Sequence, residues 1–268
     1  MKASTVAQIP KVIHQTWQTK SLDTGMLNAV ESWIDRNPEY KHQLHDDLDC
    51  RNFIADSFSA RYLAAYDKLR PGAYKADFWR YCLLCIEGGV YVDIDTVCEA
   101  SLSSFLKPSD QLVSVRGPFL DFAIWQGFLA VAQGHPLIEA TLEHVVSNIE
   151  RCFYGESGVW PTGPAAMGIA INRYARVPDR HPFNVGINDR GEHRLTLMRH
   201  SGKSKQISDC DGNYLFNAKY DGYVALRNSS SVPYPDAWRE RRVYRRDGRA
   251  TLARTTNRIL RFLGKIKR

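Results

Sequence analysis

The apolar positions along this chain switch between two periods, and the switches mark out its elements. Ile9 to Trp17 reads as an opening strand, with Pro10 at its start and Val12 and Ile13 as its apolar centre. Met26 to Asn37 has a helical period, with Leu27, Val30, Trp33 and Ile34 on one broad face, and it stops before Pro38. Tyr40 to Leu44 is a second strand, followed by a helical stretch over Cys50 to Phe58. Pro71 and Gly72 open another helix that runs through Glu87 and ends at Gly88-Gly89. After the glycines, Val90, Val92 and Ile94 alternate with Tyr91, Asp93 and Asp95. A strand there puts both carboxylates on one side. This order predicts an α/β fold: a Rossmann-like, mainly parallel sheet flanked by helices.

Beyond Asp95 the periods are less regular. Leu112 to Val115 and Phe122 to Val131 read as strands, and Pro136 to Arg151 and Ala165 to Tyr174 as helices. Residues 181 to 235 are rich in Gly, Asn, Asp and Ser, which predicts short strands and loops.

Composition narrows the picture. A chain of 268 residues with 44% hydrophobic and 24% charged side chains can bury a sizeable core. No apolar run approaches the roughly 18 residues needed to cross a bilayer. Met1 to Pro10 has one lysine and no apolar core of signal-peptide length, so the expected location is cytoplasmic. The six cysteines are scattered, and Cys82-x-x-Cys85 lies in an apolar helical stretch without a second such pair, which favours buried thiols over a redox or zinc site.

The net charge of +7 is unevenly spread. Residues 239 to 268 hold twelve Lys and Arg against Glu240 and Asp247, leaving 24 basic and 27 acidic side chains elsewhere. The expected division is therefore a catalytic domain over 1–238 and a basic C-terminal tail over 239–268. With a mildly acidic body, a nucleic-acid surface is not indicated. In the tail, Leu252, Ile259, Phe262, Leu263 and Ile266 can line one helical face, ringed by Arg254, Arg258, Arg261, Lys265 and Lys267. Two readings stay open: a basic helix lying on an anionic membrane surface, peripheral at the inner face, or a helix packed on the domain.

The candidate chemistry centres on Gly88-Gly89-Val90-Tyr91-Val92-Asp93-Ile94-Asp95. Two carboxylates one residue apart offer hard oxygen ligands to Mg²⁺ or Mn²⁺, ions that commonly also hold a phosphate. Upstream, Asp77 and Arg80 stand three apart on one helix face, where they supply both acceptors and donors for hydroxyl groups. The bland alternative for this pair is an exposed intrahelical ion pair.

Together, Tyr74-Lys75-Ala76-Asp77-Phe78-Trp79-Arg80-Tyr81 and the Asp93-x-Asp95 run resemble glycosyltransferase family 32, the Asp-x-Asp sugar-binding family. Yeast Och1-like mannosyltransferases and bacterial capsular polysaccharide enzymes are members, and the clostridial glucosylating toxins are distantly similar. Ile9 to Trp17 and Thr162-Gly163-Pro164 agree in order and kind. The resemblance is close over residues 9 to 100 and thins afterwards.

It implies a GT-A fold, a UDP- or GDP-hexose donor, a glycan or lipid-linked saccharide acceptor, and transfer with retention of configuration. Carried over, Asp95 is a metal ligand, and Asp93 contacts the donor and the metal. Asp77 and Arg80 bind donor sugar hydroxyls, while Thr162 and Gly163 form a substrate-facing loop. Trp17 has two readings, a stack on the nucleotide base or core packing. His14 and Tyr91 are expected to be structural.

One departure stands out. Members of the family end the domain with a histidine shortly before a Ser-Trp pair, completing the metal site. Here Ala237-Trp238 keeps the tryptophan alone, and no histidine follows His200. Asn228 and Asp236 are candidates for the third ligand by position only. Asp93-Ile94-Asp95-Thr96-Val97 also fits the signature of haloacid-dehalogenase-like phosphatases, in which the first carboxylate is a nucleophile. A non-catalytic sugar- or membrane-binding module is the remaining alternative.

Overall fold

A computed structural model of the chain describes residues 8–220 and 233–245. The strands are β1 (Val12–Thr16), β2 (Lys41–His45), β3 (Gly89–Val92), β4 (Val97–Cys98), β5 (Leu112–Arg116), β6 (Ile124–Val131), β7 (Gly186–Arg190), β8 (His193–His200), β9 (Gln206–Ser208) and β10 (Tyr214–Asn217). The helices are α1 (Thr24–Arg36), α2 (Asp47–Ser57), α3 (Ala60–Lys68), α4 (Gly72–Ile86), α5 (Leu102–Phe105), α6 (Pro136–Glu150), α7 (Pro164–Tyr174) and α8 (Tyr234–Arg239).

They form one sheet in the order β2-β1-β3-β6-β5-β8-β9-β10-β4, with β7 pairing to β8. The α/β class and the GT-A type of fold are as expected, and the pairing adds detail. β2-β1-β3 is parallel, as strand–helix alternation demands, and so is β5-β8. The remaining pairs are antiparallel, starting where β6 runs back along β3, so the sheet is mixed.

Alternation along β3 and β6 divides the core. Tyr91, Leu129 and Val131 face the cluster built on α2, α3, α4, α6 and α7. Val90, Val92, Phe128 and Ala130 face the cluster that holds Trp33 of α1 and Phe216 of β10. Helix α4 lies inside the first cluster and is buried continuously from Phe78 to Leu84, which is why it shows no clean amphipathic stripe. It stops at Gly88 and Gly89, whose φ values of 67° and 100° belong to the left-handed region that favours glycine. This sharp exit drops the chain into β3, between β1 and β6.

Helix α1 is capped by Asp23, whose carboxylate accepts from the backbone of Gly25 and Met26. Helix α2 carries a capping box made by Asp46 and Asp49. Helix α3 has no counterpart among the elements expected from the periodicity. Cys82 is buried in α4 and all six thiols are free, so the Cys82-x-x-Cys85 spacing carries no disulfide.

The packed body continues into the basic segment. Arg70 N–H donates to the Val243 carbonyl at 2.9 Å, and Val243 and Tyr244 are buried in the first cluster. The amphipathic helix expected over 250–268 lies outside the described residues, as does Asn228. Among the described residues no helix is long and apolar enough to cross a membrane.

Candidate active site

A cleft of about 570 Å³ opens at the C-terminal end of β3. Its lining includes Trp17, Asp77, Arg80, Asp93, Asp95 and Gly163, six of the seven residues singled out from the sequence. Parallel strands commonly present ligand sites at this end.

The two acids do not reach the cleft by strand alternation, as the sequence pattern suggested. Strand β3 ends at Val92, and Asp93 N–H makes one last bond to the Gly127 carbonyl at 2.8 Å. The chain then turns: Thr96 donates to the Asp93 carbonyl from its N–H at 3.1 Å and from its hydroxyl at 2.7 Å. Ile94 is buried against Met26 and Val30, which anchors the turn from behind. With Ile94 pulled into the core, Asp93 and Asp95 are both left on the cleft wall.

Arg80 is the hub of the donor side. It is 4% exposed, so the exposed-pair alternative does not hold. Its Nη2 lies 3.1 Å from Asp93 Oδ1 and 3.4 Å from Asp77 Oδ1. Its Nη1 donates to the Gln126 carbonyl at 2.6 Å, and the guanidinium sits 4.2 Å over the Tyr91 ring. Burial works against the Arg80 charge, but Asp93, Tyr91 and Asp77 outweigh it and hold its pKa above the ordinary value. For Asp77, desolvation dominates and pushes the pKa up, with Arg80, Thr162 and Gln126 opposing.

Thr162 differs from expectation in position. It is fully buried, and its hydroxyl donates to Asp77 Oδ2 at 2.7 Å, so it acts on the cleft through Asp77. Gly163, at the N-terminus of α7, lines the cleft itself. Trp17 packs beside Met26, Val30 and Ile94 and also lines the cleft. His14 is buried, with desolvation and then His45 lowering its pKa to about 3, which keeps it neutral. Asp236 turns away to pair with Arg239 at 2.5 Å. Trp238 donates to the Tyr154 carbonyl at 2.8 Å and packs on the core.

Two contributors were missed. Tyr91 is more than core: its hydroxyl donates to Asp93 Oδ1 at 2.9 Å. Its alternation with Asp93 was a usable signal. Lys219 had no local signal at all. It follows β10, is 124 residues from Asp95 in sequence, and places Nζ 2.5 Å from Asp95 Oδ2. Burial raises the Asp95 pKa to about 6, Lys219 draws it down, and Asp93 adds to the rise.

The donor set can be tested against a divalent cation. Asp93 and Asp95 offer hard carboxylate oxygens to one cleft, while no group of three or more His, Cys, Asp or Glu is arranged to hold a metal among the described residues. Two protein carboxylates with phosphate and water completing the shell suit Mg²⁺ or Mn²⁺, which keep waters and bind through substrate phosphates. The residues fit such an ion.

Residues 24–113 match the family described as a glycosyltransferase sugar-binding region containing a DXD motif. The chain is 29% identical over 193 residues to inositol phosphoceramide mannosyltransferase 3 of Schizosaccharomyces pombe, covering 66% of this chain and 49% of that protein. It is 41% identical over 169 residues to inositol phosphoceramide mannosyltransferase 2 of the same yeast, covering 63% and 48%. An initiation-specific alpha-1,6-mannosyltransferase of Candida albicans is 39% identical over 111 residues, covering 39% of this chain and 27% of that protein. The chain thus spans about half the length of the first two relatives. Among solved structures, PaToxG glycosyltransferase superposes with a TM-score of 0.50 at 22% identity, covering 62% of this chain and 70% of that one, a likeness of fold.

Proposed function

We propose that this chain, which carries the DXD-containing glycosyltransferase sugar-binding region over residues 24–113, is a divalent-cation-dependent, retaining hexosyltransferase. Its donor in this reading is a UDP- or GDP-hexose and its acceptor a glycan or lipid-linked saccharide. Mannose from GDP-mannose is the first donor to try, because the similar yeast proteins are named mannosyltransferases. The observation that carries the reading is the convergence of Asp93, Asp95, Asp77, Arg80 and Trp17 on one cleft.

Each side chain has a chemical task there. Asp95 and Asp93 would hold Mg²⁺ or Mn²⁺, which when bound supplies the Lewis acidity that neutralises a departing nucleoside diphosphate. Arg80 fixes Asp77 and Asp93 against one another, so their free lone pairs meet sugar hydroxyls without reorganising. Thr162 and Tyr91 lock the two carboxylate orientations from behind. Trp17 offers a flat apolar face to the base.

The test is nucleoside diphosphate release from GDP-mannose and UDP-hexoses with Mn²⁺. Turnover should vanish in Asp95→Ala and in EDTA, and full activity in EDTA would sink the reading. NMR of the product anomer decides retention. A bound donor at 100 times its Kd should add about 2.7 kcal/mol to stability.

The acceptor reading extends to location. A lipid-linked acceptor would make use of a basic tail docked on an anionic leaflet, at the cytoplasmic face. Sedimentation with anionic liposomes at low salt, with and without residues 250–268, tests it. Binding that survives the deletion, or none at all, counts against it.

A further inference from the structure

The cleft that holds the acids is also lined by two lysines and a histidine. His200 ends β8, Lys205 precedes β9 and Lys219 follows β10, and all three line the cavity. Lys219 is held there by its neighbours' backbone. Ala218 N–H donates to the Lys205 carbonyl and Tyr220 N–H to the Asp95 carbonyl, both at 2.8 Å. The Lys219 Cα is thereby tied on one side to Lys205 and on the other to the acid turn. Its ammonium reaches Asp95 Oδ2 at 2.5 Å, while its side chain keeps 34% exposure against 4% for Asp95.

We propose that Lys219 is an exchangeable counter-ion for Asp95: a divalent cation displaces its ammonium, which then turns to the diphosphate of the donor. The inference rests on the metal-dependent reading above. A buried carboxylate without a partner is costly, so Asp95 needs a cation beside it whenever the divalent ion is away. An ammonium on a four-carbon stem can do this and move, whereas a fixed third ligand cannot. Held on the same oxygen, the two cations repel each other. Mg²⁺ sits about 2.1 Å from its carboxylate, and an ammonium 2.5 Å from the same atom would be strongly repelled. Released from Asp95, the ammonium stays in the cleft that Lys205 also lines, where both lysines can meet the charge of a diphosphate.

The experiment measures binding rather than turnover. Mn²⁺ affinity is read by electron paramagnetic resonance or calorimetry on the whole chain without nucleotide, and GDP and UDP affinity is read at saturating Mn²⁺. Lys219→Met should bind Mn²⁺ about tenfold more tightly than the parent and bind the diphosphates about tenfold more weakly. Lys219→Arg, which keeps a cation against Asp95, should stay near the parent for Mn²⁺ and serves as the second variant if the methionine form does not fold. Unchanged or weaker Mn²⁺ binding in folded Lys219→Met, with the parent binding Mn²⁺, overturns the proposal and leaves the metal reading intact. Unchanged diphosphate affinity also overturns it, as does a large change in Mn²⁺ affinity in Lys219→Arg. If neither the parent nor any variant binds Mn²⁺, the metal-dependent reading falls as well.

Discussion

At the scale of single residues, the site depends on groups whose partners fix them from several directions. Arg80 touches two carboxylates, a carbonyl and an aromatic face at once. A lysine can answer one of these but not all. Arg80→Lys should therefore fold with a loss of about 2 kcal/mol in denaturant unfolding and raise the donor KM more than about tenfold. An unchanged KM would show that the guanidinium fork does not shape the donor site. Gly127 is equally exposed to test. A Cβ there would lie 2.2 Å from the Trp125 ring and 2.7 Å from Asp93 Oδ2, so Gly127→Ala must push a side chain out of place. Mn²⁺ and donor binding should weaken together, while the far-ultraviolet spectrum stays native. These contacts explain which site residues could be read from sequence. Asp77, Arg80, Asp93 and Asp95 stand within one local run, so spacing betrayed them. Lys219 and Gln126 meet that run only through the sheet, and no sequence period reports such a meeting.

At the scale of elements, the strands and helices up to Asp95 other than α3 were legible because their periods end on hard stops. Pro38 limits α1, and Gly88-Gly89 limits α4. Boundaries shifted by one to three residues where a cap or a ladder bond decided them. Asp23 starts α1 at Thr24, and the Gly127 carbonyl lets β3 end before the acids. The acid turn was misread as strand because Ile94 continues the apolar alternation while serving a different cluster. The second half was harder since pairs such as β3-β6, β5-β8 and β4-β10 join partners far apart along the chain. One close approach there makes a sharp prediction. The Cβ of an alanine at position 168 would come within 1.8 Å of the Phe122 carbonyl oxygen, so α7 must slide away from the loop before β6. Gly168→Ala should cost about 2 to 3 kcal/mol in urea unfolding despite its better helix propensity. A stabilised variant would mean that α7 has room to move.

At the scale of the whole molecule, acid should unfold the protein early, and buried histidines set the window. Desolvation, reinforced by His45, holds His14 at about 3. Desolvation with His193 holds His135 at about 4, and desolvation with Arg173 holds His144 at about 4. In the unfolded chain each titrates near its ordinary 6.5. The unfolded state therefore takes up protons first, so the stability these groups allow is intact above about pH 6.5 and is lost as pH falls towards 4 to 3. Each contributes a slope of about 1.4 kcal/mol per pH unit inside its window. Between pH 7.5 and 5.5 the three together should remove about 4 kcal/mol, measured by urea titration at both values. His14→Asn should flatten that dependence if the variant folds, and an unchanged slope would point to other groups.

The pairing of β4 with β10 has a consequence in time. Asp95 leaves the ribosome long before Lys219, with 124 residues of chain made between them. Until Phe216 and Asn217 can zip onto Cys98 and Val97, the nascent acid turn has no ammonium against it. The acid side of the cleft is thus made first and completed last. A ribosome stalled before the lysine codon should display a protein with much of its core formed and an incomplete cleft.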